Sequence, residues 1–84
     1  MAIHLLLYGT SACHLCEQAA ILLHIVNHDN AIQWTEIDIA GDEALLQYYG
    51  TVIPVIRRED GAELYWPFTV ANIQDWLRLP SVQE

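Results

Sequence analysis

The stretch Tyr8-Gly9-Thr10-Ser11-Ala12-Cys13-His14-Leu15-Cys16 is where the pattern of this chain changes. Before it, Ile3 to Tyr8 is a short, nearly continuous apolar run, as a strand covered on both faces requires. Gly9-Thr10-Ser11 interrupts the run, and from Cys13 the period becomes helical. Leu15, Ala19, Leu22, Leu23 and Val26 fall at i, i+4, i+7, i+8 and i+11, while Glu17, Gln18, His24 and His28 take other faces. Cys13 thus stands where a strand ends, a tight loop intervenes and a helix begins, and Asn27 to Asn30 supplies the helix stop.

That position gives the cysteine pair its chemistry. First-turn amides of a helix lack intrahelical acceptors and carry a partial positive charge. A cysteine facing them is driven toward thiolate, below its free pKa of ~8.5. Cys16 follows nearly one turn later, close enough to bridge but further inside. An exposed nucleophilic sulfur with a sheltered resolving one is what thiol–disulfide exchange needs. Cys13 and Cys16 are therefore the candidate catalytic residues. As a staple the bridge is poor, since so short a loop is worth only about 2 kcal/mol.

Metal binding is the rival reading. Cys13, Cys16, His24 and His28 spell a zinc-finger-like string. On a continuous helix, however, His24 lies about 12 Å along the axis from Cys16, whereas zinc ligands must come within roughly 2.0–2.3 Å of one ion. No metal site is assigned to these four residues. Copper(I) on the two thiolates is chemically possible, although copper carriers with such a pair follow a βαββαβ order.

The chain has 84 residues and a mass of 9.6 kDa, read as one domain over residues 1–84. Apolar residues make up 54% and charged ones 17%, which excludes a disordered chain. No apolar stretch approaches the ~18 residues of a membrane span. Three arginines and no lysine face eleven carboxylates, for a net charge of −8. That balance repels phosphate backbones and anionic lipid, so neither nucleic acid nor membrane is expected as a partner. A charged partner should be neutral or basic where it meets the chain. The apolar start lacks a basic n-region, so a cytoplasmic location is expected.

The remaining elements follow from similar cues. Ile32 to Asp38 is β-rich with poorly separated faces, which suits an edge strand. Gly41-Asp42-Glu43 starts a short helix carrying Leu45, Leu46 and Tyr49, which Gly50 ends. Val52 to Ile56 and Ala62 to Trp66 form a hairpin around Asp60-Gly61. Thr69 caps a last helix with Val70, Ile73, Trp76 and Leu77 inward and Pro80 at its end. The order βαβαββα predicts an α/β fold: a four-stranded mixed sheet with helices on both faces. Arg57-Arg58 reads as a solvated strand edge, His4 as a satisfied structural histidine, and His24 and His28 as solvated helix residues. Trp66, Pro67 and Phe68 either line an apolar substrate groove or pack the last helix.

The cysteine stretch, the element order and Thr51-Val52-Ile53-Pro54 together resemble the thioredoxin superfamily in its short glutaredoxin form. Cys-His-Leu-Cys, Tyr-Gly-x-x-Ile-Pro-Val and Trp66-Pro67-Phe68 are similar to a family of small bacterial glutaredoxin-like proteins, over essentially the whole chain. The resemblance implies a disulfide oxidoreductase in which Cys13 attacks, Cys16 resolves and Pro54 is the cis-proline. Ile53 then offers its backbone N–H and C=O to an extended substrate. A protonated His14 between the cysteines would further stabilise the Cys13 thiolate. The implied substrates are protein or small-molecule disulfides, with no tightly bound cofactor and a monomeric chain. An external thiol reductant must reopen the bridge, either a thioredoxin reductase-type system or glutathione.

Two departures point away from glutathione. No basic residue precedes the cysteine pair, and Trp66-Pro67-Phe68-Thr69 stands where a Gly-Gly-x-Asp stretch usually precedes the last helix. Leu7 also replaces the buried aspartate of typical thioredoxins, leaving no side-chain proton relay for Cys16. Two other classes stay open: a binding module holding a soft metal or an iron–sulfur cluster between subunits, and a redox-sensing interaction domain.

Overall fold

The computed structural model describes residues 3–27 and 31–78. The elements are β1 (Ile3–Gly9), α1 (His14–Val26), β2 (Ile32–Asp38), a 3-10 turn (Ile39–Gly41), α2 (Glu43–Tyr49), β3 (Val55–Arg58), β4 (Glu63–Tyr65) and α3 (Val70–Arg78). The sheet order is β2-β1-β3-β4. β1 runs parallel to β2 and antiparallel to β3, and β4 closes a hairpin with β3. This is the α/β architecture expected from the sequence, with β2 on an edge.

Alternation along β1 sends side chains to two separate cores. Leu5 and Leu7 join Ala19, Leu23 and Val26 of α1, Ile56 of β3, and Ile73 and Trp76 of α3. Tyr8 joins Ile39, Tyr49 and Val55 under α2. Leu5, Leu23, Ile39, Ile56 and Ile73 are fully buried, each worth roughly 1.5–3 kcal/mol in removed apolar surface. Among the described residues no helix is long and apolar enough to cross a membrane.

Several local expectations shift. The buried stripe of α1 is Cys16, Ala19, Leu23 and Val26; Leu15, expected inward, is 41% exposed. Cys16 takes the place that the apolar pattern assigned to Leu15. β3 starts at Val55 rather than Val52, because the Val52 and Ile53 amides bond to the Tyr49 carbonyl (2.9 and 3.2 Å) and Pro54 has no N–H to offer. In the hairpin, Gly61 adopts φ 93°, the left-handed region that glycine enters without steric cost. Its N–H bonds to Arg58 O (3.0 Å) and Arg58 N–H to Ala62 O (2.8 Å). Thr69 Oγ1 accepts from Asn72 N–H while Asn72 Oδ1 accepts from Thr69 N–H, both at 3.0 Å, a reciprocal cap. The expected stop at Pro80 lies outside the described residues, as does His28.

Arg57 and Arg58 are not a solvated edge. Arg58 is 9% exposed. It holds Asp60 through Nε–Oδ1 at 3.0 Å and Nη2–Oδ2 at 2.5 Å, and donates to the Trp76 carbonyl at the end of α3. Its guanidinium carbon lies 5.4 Å from the centre of the Trp76 ring. The Arg57 guanidinium lies by the Tyr8 and Tyr49 phenols on the opposite face. Both arginines join elements that a charge pattern read along one strand could not pair.

Candidate active site

The C-terminal ends of β1 and β2, the start of α1 and the start of β3 meet at one end of the sheet. Parallel pairing sets Gly9 beside Asp38 and Leu7 beside Glu36. Antiparallel pairing sets Tyr8 opposite Val55, so Pro54 and Ile53 continue alongside the loop that leads to Cys13. The Ile53–Pro54 peptide is cis, and so is Trp66–Pro67.

Cys13 is the N-cap of α1 and is bridged to Cys16, with the two Cα atoms 5.2 Å apart. The Cys16 N–H donates to Cys13 Sγ at 3.0 Å. This is one of the first-turn amides that a helix cannot satisfy internally. The Cys13 carbonyl accepts from Glu17 N–H (3.2 Å), and Cys13 N–H reaches Thr10 O (3.4 Å). Cys13 is half-buried, whereas Cys16 is 8% exposed. The outer sulfur belongs to the position expected to attack and the inner one to the position expected to resolve.

A cleft of about 600 Å³ opens over the bridge between α1 and β2. Cys13 and Cys16 lie in its wall with Glu17 and His24 of α1 and Glu36 and Asp38 of β2. Asp38 also accepts the Ala40 N–H (2.9 Å). Sequence reading did not single out Glu36 and Asp38. The available signal was the parallel register itself, which brings the end of β2 alongside the cysteine loop.

The other candidate residues divide. His14 is the first, exposed residue of α1. Pro54 is fully buried, and its carbonyl accepts from Trp66 N–H (3.2 Å). The Ile53 N–H is committed to Tyr49 O, so of the two backbone groups expected to meet substrate only the carbonyl is without a partner among the described residues. Phe68 is 4% exposed and belongs to the main core. Trp66 meets it edge-on at 5.1 Å. Both face a second, smaller groove with Gln18, Ile21 and Leu22 that does not include the cysteines; Ile21 lines both hollows.

His24 packs edge-on against Trp34, 4.8 Å between ring centres, and His4 Nε2 pairs with Thr35 Oγ1 at 3.0 Å. Among the described residues no three His, Cys, Asp or Glu side chains converge as metal ligands. A cluster of phenols around one carboxylate lies under α2. Tyr49 stacks on Tyr8 at 4.4 Å and donates to Glu63 Oε2 at 2.5 Å, while Tyr65 donates to Glu63 Oε1 at 2.7 Å. Burial, then the bond to Glu63, pushes the Tyr49 phenol well above its ordinary range. The Glu63 bond also raises Tyr65, and the neighbouring Tyr8 phenol raises Arg57.

Residues 4–78 match the glutaredoxin-like domain family (DUF836). The chain belongs to that family. The crystal structure of target protein XcR50 from X. campestris is similar, at 38% identity and a TM-score of 0.82, over 90% of this chain and 99% of that one. The solution structure of Ne2328 from Nitrosomonas europaea is similar at 26% identity and a TM-score of 0.78, over 90% and 92%. A malarial protein at 12% identity shares the fold, with a TM-score of 0.69 over 93% and 96%. No curated protein matches the chain. A glutaredoxin-like chain whose paired cysteines stand at bridging distance has a thiol redox role.

Proposed function

We propose that this glutaredoxin-like protein is a thiol–disulfide oxidoreductase acting on protein or small-molecule disulfides that are neutral or cationic near the scissile bond. The carrying observation is the Cys16 N–H aimed at Cys13 Sγ from the first turn of α1. A hydrogen bond from an amide to an ionised acceptor is worth about 1.5–3 kcal/mol, and it favours thiolate at position 13 once the bridge is open.

The Cys13 thiolate attacks one sulfur of the substrate disulfide. The Cys13–substrate bond forms, and the other half leaves as a thiolate that takes a proton from water. Cys16, deprotonated by water, then attacks Cys13 Sγ. The intramolecular bridge closes and the second substrate half departs as a thiol. Two electrons pass from the dithiol to the substrate, and no tightly bound cofactor takes part. An external reductant in the cytoplasm reopens the bridge. The carboxylates around the cleft favour a thioredoxin reductase-type donor over glutathione, a net anion at neutral pH. The Ile53 carbonyl is the backbone group left to accept from an extended substrate, and exposed His14 flanks its approach. The chain works as a monomer, without nucleic acid or membrane.

Serine at each cysteine tests the reaction. Cys16→Ser, incubated with an oxidised substrate pool, should accumulate a mixed disulfide at Cys13 that dithiothreitol releases, and Cys13→Ser should accumulate none. Equal trapping by both variants, or by neither, would refute the assigned roles.

A further inference from the structure

Gly9 ends β1 directly beneath the cysteine pair and is itself buried. A Cβ placed on it would lie 2.8 Å from Cys16 Sγ and 3.0 Å from Cys16 Cβ. Non-bonded carbon contacts settle near 3.5–4.0 Å, so the inner sulfur already fills the space a side chain at this position needs. Backbone conformation is not the reason for the glycine. Gly9 pairs in register with Asp38 and has no positive φ, so an L-residue could adopt its dihedrals. Space alone excludes one.

We propose that Gly9 is a positioning residue for the resolving sulfur: its missing side chain is the seat Cys16 occupies when the bridge closes, which sets the balance between dithiol and disulfide. This rests on the exchange reaction proposed above. The Cys16 backbone is fixed in the first turn of α1, so its Cβ cannot retreat in either redox state. The sulfur behaves differently. In the dithiol it can turn about Cα–Cβ to another staggered position. In the disulfide it is tied to Cys13 and must point where the Gly9 side chain would be. An added methyl group therefore opposes the closed bridge more than the open one. It also hinders the step in which Cys16 attacks Cys13 Sγ, forming the Cys13–Cys16 bond as the Cys13–substrate bond breaks and the substrate leaves with the electron pair.

The test is Gly9→Ala, equilibrated in mixtures of reduced and oxidised dithiothreitol. The half-oxidised point should move at least tenfold toward the oxidised reagent, a rise of ~30 mV for this two-electron couple. The melting temperature should fall more in the oxidised protein than in the reduced one. An unchanged half-oxidised point with equal losses in both forms would mean that Gly9 only fills the fold, and the proposal would fail. If Gly9→Ala does not fold when oxidised, the same variant in excess reduced dithiothreitol decides instead. Opening the bridge frees the sulfur to turn away and should restore folding, and a variant unfolded in both redox states overturns the proposal. Failure of the exchange reaction itself would be separate: the wild-type protein would equilibrate its bridge with dithiothreitol yet reduce no protein or other small-molecule disulfide faster than dithiothreitol alone does.

Discussion

The carboxylates beside the bridge predict a charge preference that three small disulfides can measure. Cystamine carries an ammonium at each end, bis(2-hydroxyethyl) disulfide is neutral, and dithiodipropionate carries a carboxylate at each end. Glu17, Glu36 and Asp38 share the cleft with the cysteines. For a docked unit charge taken at one Debye length, about 8 Å, from each, an effective dielectric of about 40 gives ~1 kcal/mol. Screening in physiological salt, with a Debye length of ~8 Å, reduces that to about 0.4 kcal/mol. Three carboxylates then separate a cationic from an anionic end by roughly 2.4 kcal/mol, about 50-fold in rate. The assay mixes reduced protein with excess disulfide, quenches in acid and reads the oxidised fraction by mass. Each rate is divided by that disulfide's rate with dithiothreitol, which removes differences in leaving group. In about 1 M salt, where the Debye length is ~3 Å, the preference should fall to a few-fold. Glu36→Gln with Asp38→Asn should leave only about fourfold at physiological salt. A normalised ratio near one, or a preference that salt does not change, would refute the electrostatic reasoning.

Two further predictions concern the polar groups that lock the sheet to its helices. Replacing Arg58 by Met keeps the bulk but removes both bonds to Asp60 and the bond to the Trp76 carbonyl; with Asp60 20% exposed, the expected loss is about 2–3 kcal/mol. Urea unfolding measures it, and a loss under ~0.5 kcal/mol, ordinary for a surface site, would contradict the burial argument. Tyr49 is held as the neutral phenol by burial and then by Glu63, so its folded pKa lies above the unfolded value of about 10. Its stabilising share is complete below about pH 10 and is lost as pH climbs toward the raised folded value, because the unfolded chain releases the proton first. Tyr49→Phe should flatten the alkaline fall in urea midpoint between about pH 10 and 11, and a slope as steep as that of the wild type would assign the fall to other groups.

The elements were legible because their signals are local. Apolar runs, the Asp60-Gly61 turn and the Thr69 cap each act within a few residues, and the cysteine pair is marked by its place between strand and helix. What was not legible depends on register. Glu36 and Asp38 gain meaning only when parallel pairing sets them beside Leu7 and Gly9. Arg58 reads as a surface charge until α3 brings the Trp76 carbonyl over it. The Ile53 N–H is held by Tyr49 O, the last residue of α2, and no local pattern announces that bond. Leu15 misled for a related reason. A periodic count treats cysteine as a marginal apolar residue, yet Cys16 occupies the inward position and turns the stripe by one residue.

The charges around the bridge act in two opposed ways, and distance decides which matters for each step. Under the proposed reaction, the Cys13 sulfur has an amide hydrogen in contact, with the Cys16 nitrogen at 3.0 Å, while Glu36 and Asp38 stand on β2 across a cleft open to water. A contact bond to an anion is worth about 1.5–3 kcal/mol, against about 0.4 kcal/mol for a screened carboxylate one Debye length away. The near donor therefore outweighs the far charges at the sulfur, and the thiolate survives in an acidic cleft. An approaching molecule has no such contact until it docks, so it meets the carboxylates first. The helix terminus governs reactivity, whereas the β2 edge governs which disulfides arrive. Neutralising Glu36 and Asp38 should accordingly change the ranking of substrates far more than it changes the rate with the uncharged hydroxyethyl disulfide.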